Sequence, residues 1–498
     1  MSLHLFDTLD NQKKPFVTTE PDHARVYVCG PTTYDHAHIG HARPCIVYDV
    51  LVRFLRSSGM RVTYVRNVTD IDDKIIKRAT ENGESPTELA ARMFESYSAD
   101  MKALRNLEPD VQPKVSEHLD EIRALIGRLI ERGHAYVSGG DVYFQVSSFP
   151  EYGKLSHRDL SQMEAGASER LDESATHRKK HPFDFALWKG AEAGDPSWPS
   201  PWGSGRPGWH IECSAMSMKY LGESFDLHGG GLDLVFPHHE NEIAQSECAS
   251  GKCFSKHWMH NGFVQINREK MSKSLGNFFR LGEAFDKGEP EAVRYALLTV
   301  HYRSPFNLEM DLDEAGNLLR FPQFAEAEAR LVYLYSTKQR FSEISGKKIK
   351  DVDAPEVSEI SEFVTRVQAV LNDDLNTAQA VAHVSGLLKA VNEVCDAAAG
   401  KKGKLARSTH SAIETALAFC AQVLGLGEEE PSDFLIRVRD RRAKEQGVDR
   451  IWVEECLARR AQARRDKDYS AADAVRDELE KAGVEMFDAP GGTTWRLK

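Results

Sequence analysis

The chain has 498 residues, a net charge of −12, and hydrophobic and charged fractions of 41% and 28%. These values are typical of a globular protein with about three or four domains of ordinary size. The net negative charge argues against a general polyanion binder, so any contact with RNA would have to come from local basic surfaces. Residues 1–14 have no signal-peptide pattern and no apolar run is long enough to span a bilayer, so we expect a cytoplasmic protein.

The first elements predict a βαβ unit. Residues 25–28 alternate polar and apolar side chains, residues 46–55 carry apolar side chains at helical spacing, and residues 61–68 are rich in β-branched side chains. His38 and His41 therefore fall where a strand ends and a helix begins. Free backbone N–H groups and the positive end of the helix dipole attract phosphate at such a junction, and Gly40 leaves room for a close ligand.

Three aspartates follow the second strand, at positions 70, 72 and 73. Carboxylates at this spacing suit Mg²⁺, but a helix follows directly, so we interpret Asp72 and Asp73 as its N-cap and acidic first turn. Residues 81–133 are predicted to be helical with breaks at prolines, and residues 141–147 to form a strand. The polar and Pro/Trp/Gly-rich stretch that follows, to residue 208, has little periodicity.

The second half of the chain is predicted to be mainly helical. Helix-length apolar periodicity covers residues 291–300, 320–335, 360–371, 377–399 and 408–426, which indicates a helical bundle. From about Pro431 the chain is rich in arginine, and residues 484–498 have a strand-and-turn pattern. Acidic residues alternate with these arginines, so a solvated helix face and an RNA-binding surface both remain open.

Several common nucleotide and hydrolase signatures are absent or misplaced. The GxGxxG match at residues 203–208 follows a Pro/Trp loop rather than a strand, which argues against NAD binding. The His-Gly-Gly-Gly run at residues 228–231 has no accompanying GxSxG elbow, and the chain has no GxxxxGK[ST] loop. If the chain binds a nucleotide, its phosphates are therefore not held by a P-loop.

Two short motifs carry a family resemblance. His38-Ile39-Gly40-His41 resembles the first signature of class I aminoacyl-tRNA synthetases, and Lys270-Met271-Ser272-Lys273-Ser274 resembles their second. Four further stretches are similar to cysteinyl-tRNA synthetases: Tyr-Val-Cys-Gly-Pro-Thr at 27–32, Gly-Trp-His-Ile-Glu-Cys-Ser at 208–214, Phe-Pro-His-His-Glu-Asn-Glu at 236–242, and Gly-Thr-Thr-Trp-Arg at 492–496.

The resemblance implies an α/β fold, with a Rossmann-type parallel-sheet catalytic domain, a connective insertion, a helical bundle and a small C-terminal mixed α/β domain. We expect these boundaries: first catalytic half 1–120, connective peptide 121–205, second catalytic half with the KMSKS and stem-contact region 206–315, helical bundle 316–430, and anticodon-binding domain 431–498.

A metal site is indicated by cysteine, histidine and glutamate side chains. The eight cysteines form no CxxC pair, which favours free or metal-bound thiols over disulfides. Spacing alone points to the local cluster Cys248, Cys253, His257 and His260. The resemblance instead implies one zinc ion on the scattered set Cys29, Cys213, His238 and Glu242, with the neighbouring His239 and Glu240 orienting those ligands.

The implied reaction is the activation of L-cysteine by ATP with Mg²⁺, followed by transfer of cysteine to the terminal adenosine of tRNA(Cys). His38, His41, Lys270 and Lys273 are the expected catalytic residues, and they are expected to bind ATP together with Gly40, Asp233 and Ser272. For Asp233 two roles stay open, a hydrogen bond to the ribose of ATP or one to the substrate ammonium. Gly30, Thr69 and Trp209 are expected at the amino-acid pocket, and Asp488 and Trp495 at the tRNA. We expect a monomer.

Two alternatives remain at this point. The cysteine ligase of mycothiol synthesis resembles the catalytic half of the family but does not use tRNA, so it has no need of the region beyond Pro431. A non-catalytic zinc-containing RNA-binding protein would have no need of His38, His41, Lys270 and Lys273.

Overall fold

The structure is a computed structural model that describes residues 3–159, 177–192, 196–270, 279–315, 318–344, 346–353, 355–399, 403–489 and 492–497. It forms two compact units. The first comprises Met1–Glu328, Pro355–Leu387 and Ser411–Leu426, and the second comprises Ala329–Ala354, Leu388–His410 and Gly427–Lys498. Each unit is therefore assembled from segments that are separated in the sequence.

The strands are, in chain order, β1 (His4–Asp7), β2 (Gln12–Pro15), β3 (His23–Val28), β4 (Arg61–Arg66), β5 (Ala135–Ser138), β6 (Asp141–Phe144), β7 (Phe185–Gly190), β8 (Gly205–Pro207), β9 (Leu227–Gly231), β10 (Trp258–Asn261), β11 (Val264–Ile266), β12 (Glu269–Lys270), β13 (Phe306–Leu308), β14 (Asp311–Leu312), β15 (Leu318–Arg320), β16 (Ile349–Lys350), β17 (Leu405–Ala406), β18 (Val484–Ala489) and β19 (Gly492–Leu497).

The α-helices are α1 (Ile39–Ser57), α2 (Asp73–Asn82), α3 (Pro86–Ala103), α4 (Leu119–Glu131), α5 (Trp209–Leu221), α6 (Glu240–Ser250), α7 (Leu281–Phe285), α8 (Pro290–Leu298), α9 (Pro322–Ser342), α10 (Ser358–Ser361), α11 (Phe363–Asn372), α12 (Thr377–Ala399), α13 (Arg407–Phe419), α14 (Pro431–Glu445), α15 (Arg450–Arg465) and α16 (Tyr469–Lys481). Short π-helical turns at Val235–His239 and Cys420–Leu424 adjoin α6 and α13.

A parallel sheet lies at the centre of the first unit, with the strand order β10-β9-β3-β4. Helix α1 connects β3 to the parallel strand β4, which completes the predicted βαβ unit. All four strands run in the same direction, so the residues that follow β3, β4 and β9 meet at one edge of the sheet. In open α/β sheets ligands bind at that carboxyl-terminal edge.

A second, antiparallel sheet has the order β5-β6-β7-β8 and lies in the segment expected to be the connective insertion. The GxGxxG match runs into β8, the edge strand of this sheet, so no strand–turn–helix surrounds it, as predicted. Helix α2 begins with Asp72 as N-cap, since its carboxylate accepts a hydrogen bond of 2.9 Å from the Lys74 backbone N–H. The interpretation of Asp72 as a helix cap is thus confirmed.

A buried ionic network anchors the middle of α1. The carboxylate of Asp49 contacts the guanidinium of Arg294, and it accepts a 2.9 Å hydrogen bond from Arg53 Nε. Arg294 also donates to the carbonyl oxygens of Leu424 at 2.7 Å and Leu104 at 3.1 Å. Asp49 and Arg294 are 1% and 0% exposed, so the charges satisfy one another without water.

The second unit contains an antiparallel hairpin, β18–β19, and the helices α14, α15 and α16. Its core is formed by Ala443, Val453, Cys456, Val475, Leu479, Val484, Trp495 and Leu497. Phe434 of α14 stacks on Tyr335, with ring centroids 4.0 Å apart. Among the described residues, no helix is long and apolar enough to cross a membrane.

Candidate active site and metal centre

The first signature motif lies at the start of α1, as predicted. His38 is the N-cap, and His41 Nδ1 accepts a 3.2 Å hydrogen bond from the His38 backbone N–H. The two imidazole rings lie 3.8 Å apart between centroids. Because Nδ1 of His41 is an acceptor, the neutral ring carries its proton on Nε2, which is then the nitrogen that donates. Gly40 lies in the first turn of the same helix.

The second signature motif is only partly described. Lys270 is the last residue of strand β12, whose backbone pairs with Gln265 of β11. Ser272 and Lys273 lie outside the described residues, so their expected contacts with ATP stay predictions. Asp233 is exposed in the 3₁₀ turn Leu232–Leu234 that follows β9, and this places it at the carboxyl-terminal edge of the parallel sheet.

Two of the three residues expected at the amino-acid pocket follow strands of the parallel sheet, and the third is the first residue of helix α5. Gly30 follows β3, and a Cβ there would lie 1.6 Å from the Asn67 carbonyl oxygen, so only glycine fits. Thr69 follows β4 and is 2% exposed. Trp209 opens α5 and stacks on the ring of His238 at 4.1 Å.

Thr69 is bonded to a buried carboxylate that the sequence analysis did not single out. Its hydroxyl donates to Glu212 Oε2 at 3.3 Å. Burial, with the neighbouring Cys213, Asp72 and Asp70, raises the pKa of Glu212 well above its usual range. The signal was present in the sequence, because Glu212 lies within the Gly-Trp-His-Ile-Glu-Cys-Ser stretch, but a single glutamate in a motif has no distinguishing spacing.

The scattered metal-ligand set converges in space. Cys29 Sγ lies 3.8 Å from Cys213 Sγ and 3.6 Å from Glu242 Oε1. His238 Nε2 lies 3.0 Å from Glu242 Oε1. Among the described residues, the group whose ligand atoms all approach within 4.8 Å of one another is Cys29, His238, His239 and Glu242. His239 is therefore a geometric rival of Cys213 for the fourth position.

The separations of Cys29 Sγ from Cys213 Sγ and from Glu242 Oε1 fit a tetrahedral metal ion. Metal–sulfur and metal–nitrogen or metal–oxygen bonds of about 2.0–2.3 Å place neighbouring ligand atoms about 3.3–3.8 Å apart in a tetrahedron. Burial raises the pKa of Glu242 to about 8 and that of the Cys29 thiol well above its usual range. A divalent cation among them favours the anionic forms that burial alone disfavours, so the donor set suits such an ion.

Three more histidines, His210, His228 and His260, surround this group. Glu242 Oε2 lies 2.9 Å from His228 Nε2, and Cys29 Sγ lies 3.3 Å from His239 Nε2. His239 Nδ1 is in turn 2.8 Å from His260 Nε2, and His210 Nδ1 is 3.0 Å from His238 Nδ1. Such contacts orient ligand side chains. Sequence reasoning anticipated this role for His239 and missed it for the other three, which come from different strands and helices.

Glu240 differs from expectation. Its carboxylate accepts hydrogen bonds from the backbone N–H groups of Ser156 at 2.8 Å and Leu155 at 3.4 Å, so it fixes that loop and does not orient a metal ligand. The local cluster suggested by spacing does not assemble either. Cys253 Sγ contacts the Ser255 carbonyl oxygen, while His260 binds His239.

The two residues expected at the tRNA lie in the second unit. Asp488 is held by Arg460 at 2.8 Å and Arg464 at 2.7 Å, and these arginines lower its pKa below its usual range. Trp495 is 6% exposed, packs in the core of the unit, and carries the guanidinium of Arg439 4.5 Å from its ring centroid. Packing therefore accounts for Trp495, and the tRNA roles of both residues stay predictions.

Comparison with protein families covers most of the chain. Residues 15–317 match the model described as tRNA synthetases class I (C) catalytic domain, residues 366–428 match the DALR domain, and residues 453–496 match the cysteinyl-tRNA ligase anticodon binding domain. The fold is similar to that of methionyl-tRNA synthetase from Mycobacterium tuberculosis, with a TM-score of 0.56 and 14% identity over 83% of this chain and 93% of that one. Fold and signature motifs thus define a class I aminoacyl-tRNA synthetase.

Curated relatives show which family of class I aminoacyl-tRNA synthetases the chain belongs to. A cysteine–tRNA ligase from Anaeromyxobacter dehalogenans is 47% identical, and one from Geobacter sulfurreducens is 45% identical, each over the full length of both chains. The chain belongs to the cysteine–tRNA ligase family, and it is an aminoacyl-tRNA ligase. The resemblance stated from the short motifs is confirmed, as is the α/β fold with a parallel catalytic sheet.

Proposed function

We propose that this chain activates L-cysteine with ATP and Mg²⁺ to cysteinyl-adenylate and pyrophosphate, then transfers cysteine to the terminal adenosine of tRNA(Cys). The observation that carries the proposal is the convergence of Cys29, Cys213, His238 and Glu242 beside the carboxyl-terminal edge of the parallel sheet. Helix α1 begins near the same edge with His38 and His41. This supports one site in which a metal ion would bind the substrate thiol and the start of α1 would bind the phosphates of ATP.

In the first step the substrate carboxylate attacks the α-phosphate of ATP, and negative charge builds on the departing phosphates. His41 supplies an Nε2–H donor, and the start of α1 supplies oriented backbone N–H groups. We assign Lys270, Ser272 and Lys273 to the same phosphates, with a loop that closes on ATP and reopens with pyrophosphate. Asp233 is assigned to the ribose of ATP, which its exposed position after β9 favours.

Selection of cysteine follows from the donor set. Shape alone separates cysteine from serine by only about 1–3 kcal/mol, because the two differ by one atom. A bound zinc ion supplies an affinity for thiolate that a serine hydroxyl cannot match, since the hydroxyl holds its proton more tightly. Trp209, stacked on His238, closes the pocket over a small side chain.

The chain's own nucleophiles have no role in the second step, because a ribose hydroxyl of the tRNA attacks the mixed anhydride. We assign anticodon recognition to the second unit, whose residues 453–496 match the anticodon binding domain, and we propose that the enzyme works as a monomer in the cytoplasm. Single-stranded bases are read by stacking and by hydrogen bonds to their edges.

The test is cysteine-dependent ATP–pyrophosphate exchange, measured together with zinc content. We expect exchange with cysteine, none with serine, and one zinc ion per chain. Absence of cysteine-dependent exchange would leave the non-catalytic RNA-binding alternative as the better account.

Charging of tRNA separates the two ligases. The anticodon-domain match favours the tRNA ligase over the tRNA-independent one. Deleting the chain from Gly447 onward retains α14, whose Phe434 stacks on Tyr335, and removes α15, α16 and the hairpin. We expect this truncation to weaken charging far more than exchange. Equal losses in both assays would contradict an anticodon function.

A further inference from the structure

Glu212 is a buried carboxylate next to a proposed metal ligand. It is 1% exposed and lies in the first turn of α5, directly before Cys213. Its Oε2 accepts the Thr69 hydroxyl at 3.3 Å, and Asn67 in turn donates to Thr69 Oγ1 at 3.3 Å. Among the described parts of the chain, no lysine, arginine or histidine forms an ion pair with it.

This environment is unusual for the protein. Two other buried carboxylates have firm partners: Asp49 binds two arginines, and Glu240 accepts hydrogen bonds from two backbone N–H groups. Glu212 instead faces Thr69 and shares its neighbourhood with two more carboxylates, Asp70 and Asp72. A buried carboxylate without a cation is strongly disfavoured. Such a group is retained where a ligand brings the missing positive charge.

The position of Glu212 matches one group of the substrate. Cysteine carries its thiol and its α-ammonium three bonds apart. Consecutive residues of α5 present the two complementary groups: Cys213 contacts Cys29 in the metal-ligand set, and Glu212 contacts Thr69. Because Cys213 and Glu212 are adjacent in the chain and interact electrostatically, the Thr69–Glu212 pair lies next to the metal-ligand set.

We propose that Glu212, positioned by Thr69, binds the α-ammonium group of the amino-acid substrate and thereby selects α-amino acids over thiol acids that lack the amine. This inference rests on the proposed cysteine activation. The proposed Glu212 contact adds a second basis for substrate selection. Zinc would bind any small thiol, whereas Glu212 would favour a thiol that also carries an ammonium group.

The test compares cysteine with 3-mercaptopropionate, which keeps the thiol and the carboxylate and lacks the ammonium. Wild type and Glu212→Gln are assayed by pyrophosphate exchange for the KM of cysteine and for the inhibition constant of 3-mercaptopropionate. We expect Glu212→Gln to raise the cysteine KM about ten- to a hundredfold, the range of a hydrogen bond to a charged group, and to change the analogue's inhibition constant less than about threefold. Glutamine is uncharged and of equal size, so the unliganded variant should unfold at the same temperature as wild type or higher.

Two further variants keep the test decisive. Glu212→Asp retains the charge with a shorter reach, and we expect it to recover part of the preference for cysteine. Glu240→Gln removes a buried carboxylate that, among the described residues, accepts hydrogen bonds from backbone N–H groups in the same unit, and we expect it to leave the ratio of the two constants unchanged. Parallel loss of cysteine and analogue binding in Glu212→Gln, or no loss of either, would overturn the inference. Wild-type protein without cysteine-dependent exchange would overturn the proposed function itself, and the inference with it.

Discussion

Cys213→Ser is the sharpest perturbation of the metal centre, because two ligand sets compete on geometry. One set contains Cys213, which lies 3.8 Å from Cys29, and the other replaces it with His239, whose Nε2 lies 3.3 Å from the same sulfur. Structural zinc binds with about 10–16 kcal/mol in small zinc domains. An equal share for each of four ligands is about 2.5–4 kcal/mol, which is roughly a hundred- to a thousandfold in affinity. A residue that only orients a ligand contributes about 10–100-fold.

The assay is competition for zinc against a chelator of known affinity, with Cys213→Ser, His239→Asn and the control Cys248→Ser measured side by side. Cys248 is a buried thiol of α6 that lies outside the ligand group, so its variant should hold zinc as wild type does. We expect Cys213→Ser to lose the most affinity and to lose cysteine activation with it. The assignment of Cys213 would be refuted if its variant kept wild-type zinc affinity while His239→Asn lost the metal.

Three more predictions concern Lys273 of the second signature motif, the buried ionic network around Asp49, and Asp488 of the second unit. Lys273→Ala should slow adenylate formation by on the order of a hundredfold in the exchange assay, as loss of a contact to developing charge does, and near-normal turnover would remove the lysine from the mechanism. Asp49→Ala should lower the free energy of unfolding by about 3–5 kcal/mol in denaturant titration, because it removes the carboxylate between two buried guanidiniums, whereas Glu84→Ala at a surface ion pair should change it far less. The folded-state pKa of Asp488 is depressed, so the stabilisation lost in Asp488→Asn, below about 1 kcal/mol for this exposed side chain, should be full at neutral pH, begin to decline as the pH falls below about 4, and disappear only below the depressed folded-state pKa. A difference that shows no decline between neutral pH and strong acid would contradict the ion-pair account.

The regular elements could be predicted from the sequence wherever local pattern and tertiary context agree. The helices at Ile39–Ser57 and Thr377–Ala399 could be predicted because their apolar side chains recur at helical spacing. The first is buried on all sides from Cys45 to Leu55, whereas buried and exposed positions alternate along the second. The strand predicted at residues 141–147 is shorter, ending at Phe144, because the Val146 N–H donates to Asp184 Oδ1 and residues 146–148 form a 3₁₀ turn. That hydrogen bond joins segments about forty residues apart, so no local sequence pattern predicts it.

The metal centre could be named only through the family resemblance. Spacing favoured the local cluster with Cys248 and Cys253. The residues that converge come instead from the residue after β3, from α5, from the π turn at Val235–His239 and from α6. A periodic pattern reports which face a residue occupies and carries no information on which distant segment it meets. The same limit explains why His228 was seen only as part of a glycine run, although it binds Glu242 at 2.9 Å.

The network around Asp49 also bears on how the chain folds during synthesis. The first unit closes only when residues 411–426 join it, and the Leu424 carbonyl is one of the partners that hold Arg294. Until the ribosome has synthesised residue 424, Arg294 lacks the Leu424 carbonyl as an acceptor. Helix α1, which carries the first signature motif, is then incompletely anchored. The start of α1, with His38 and His41, is thereby anchored by a segment made nearly four hundred residues later than the motif itself.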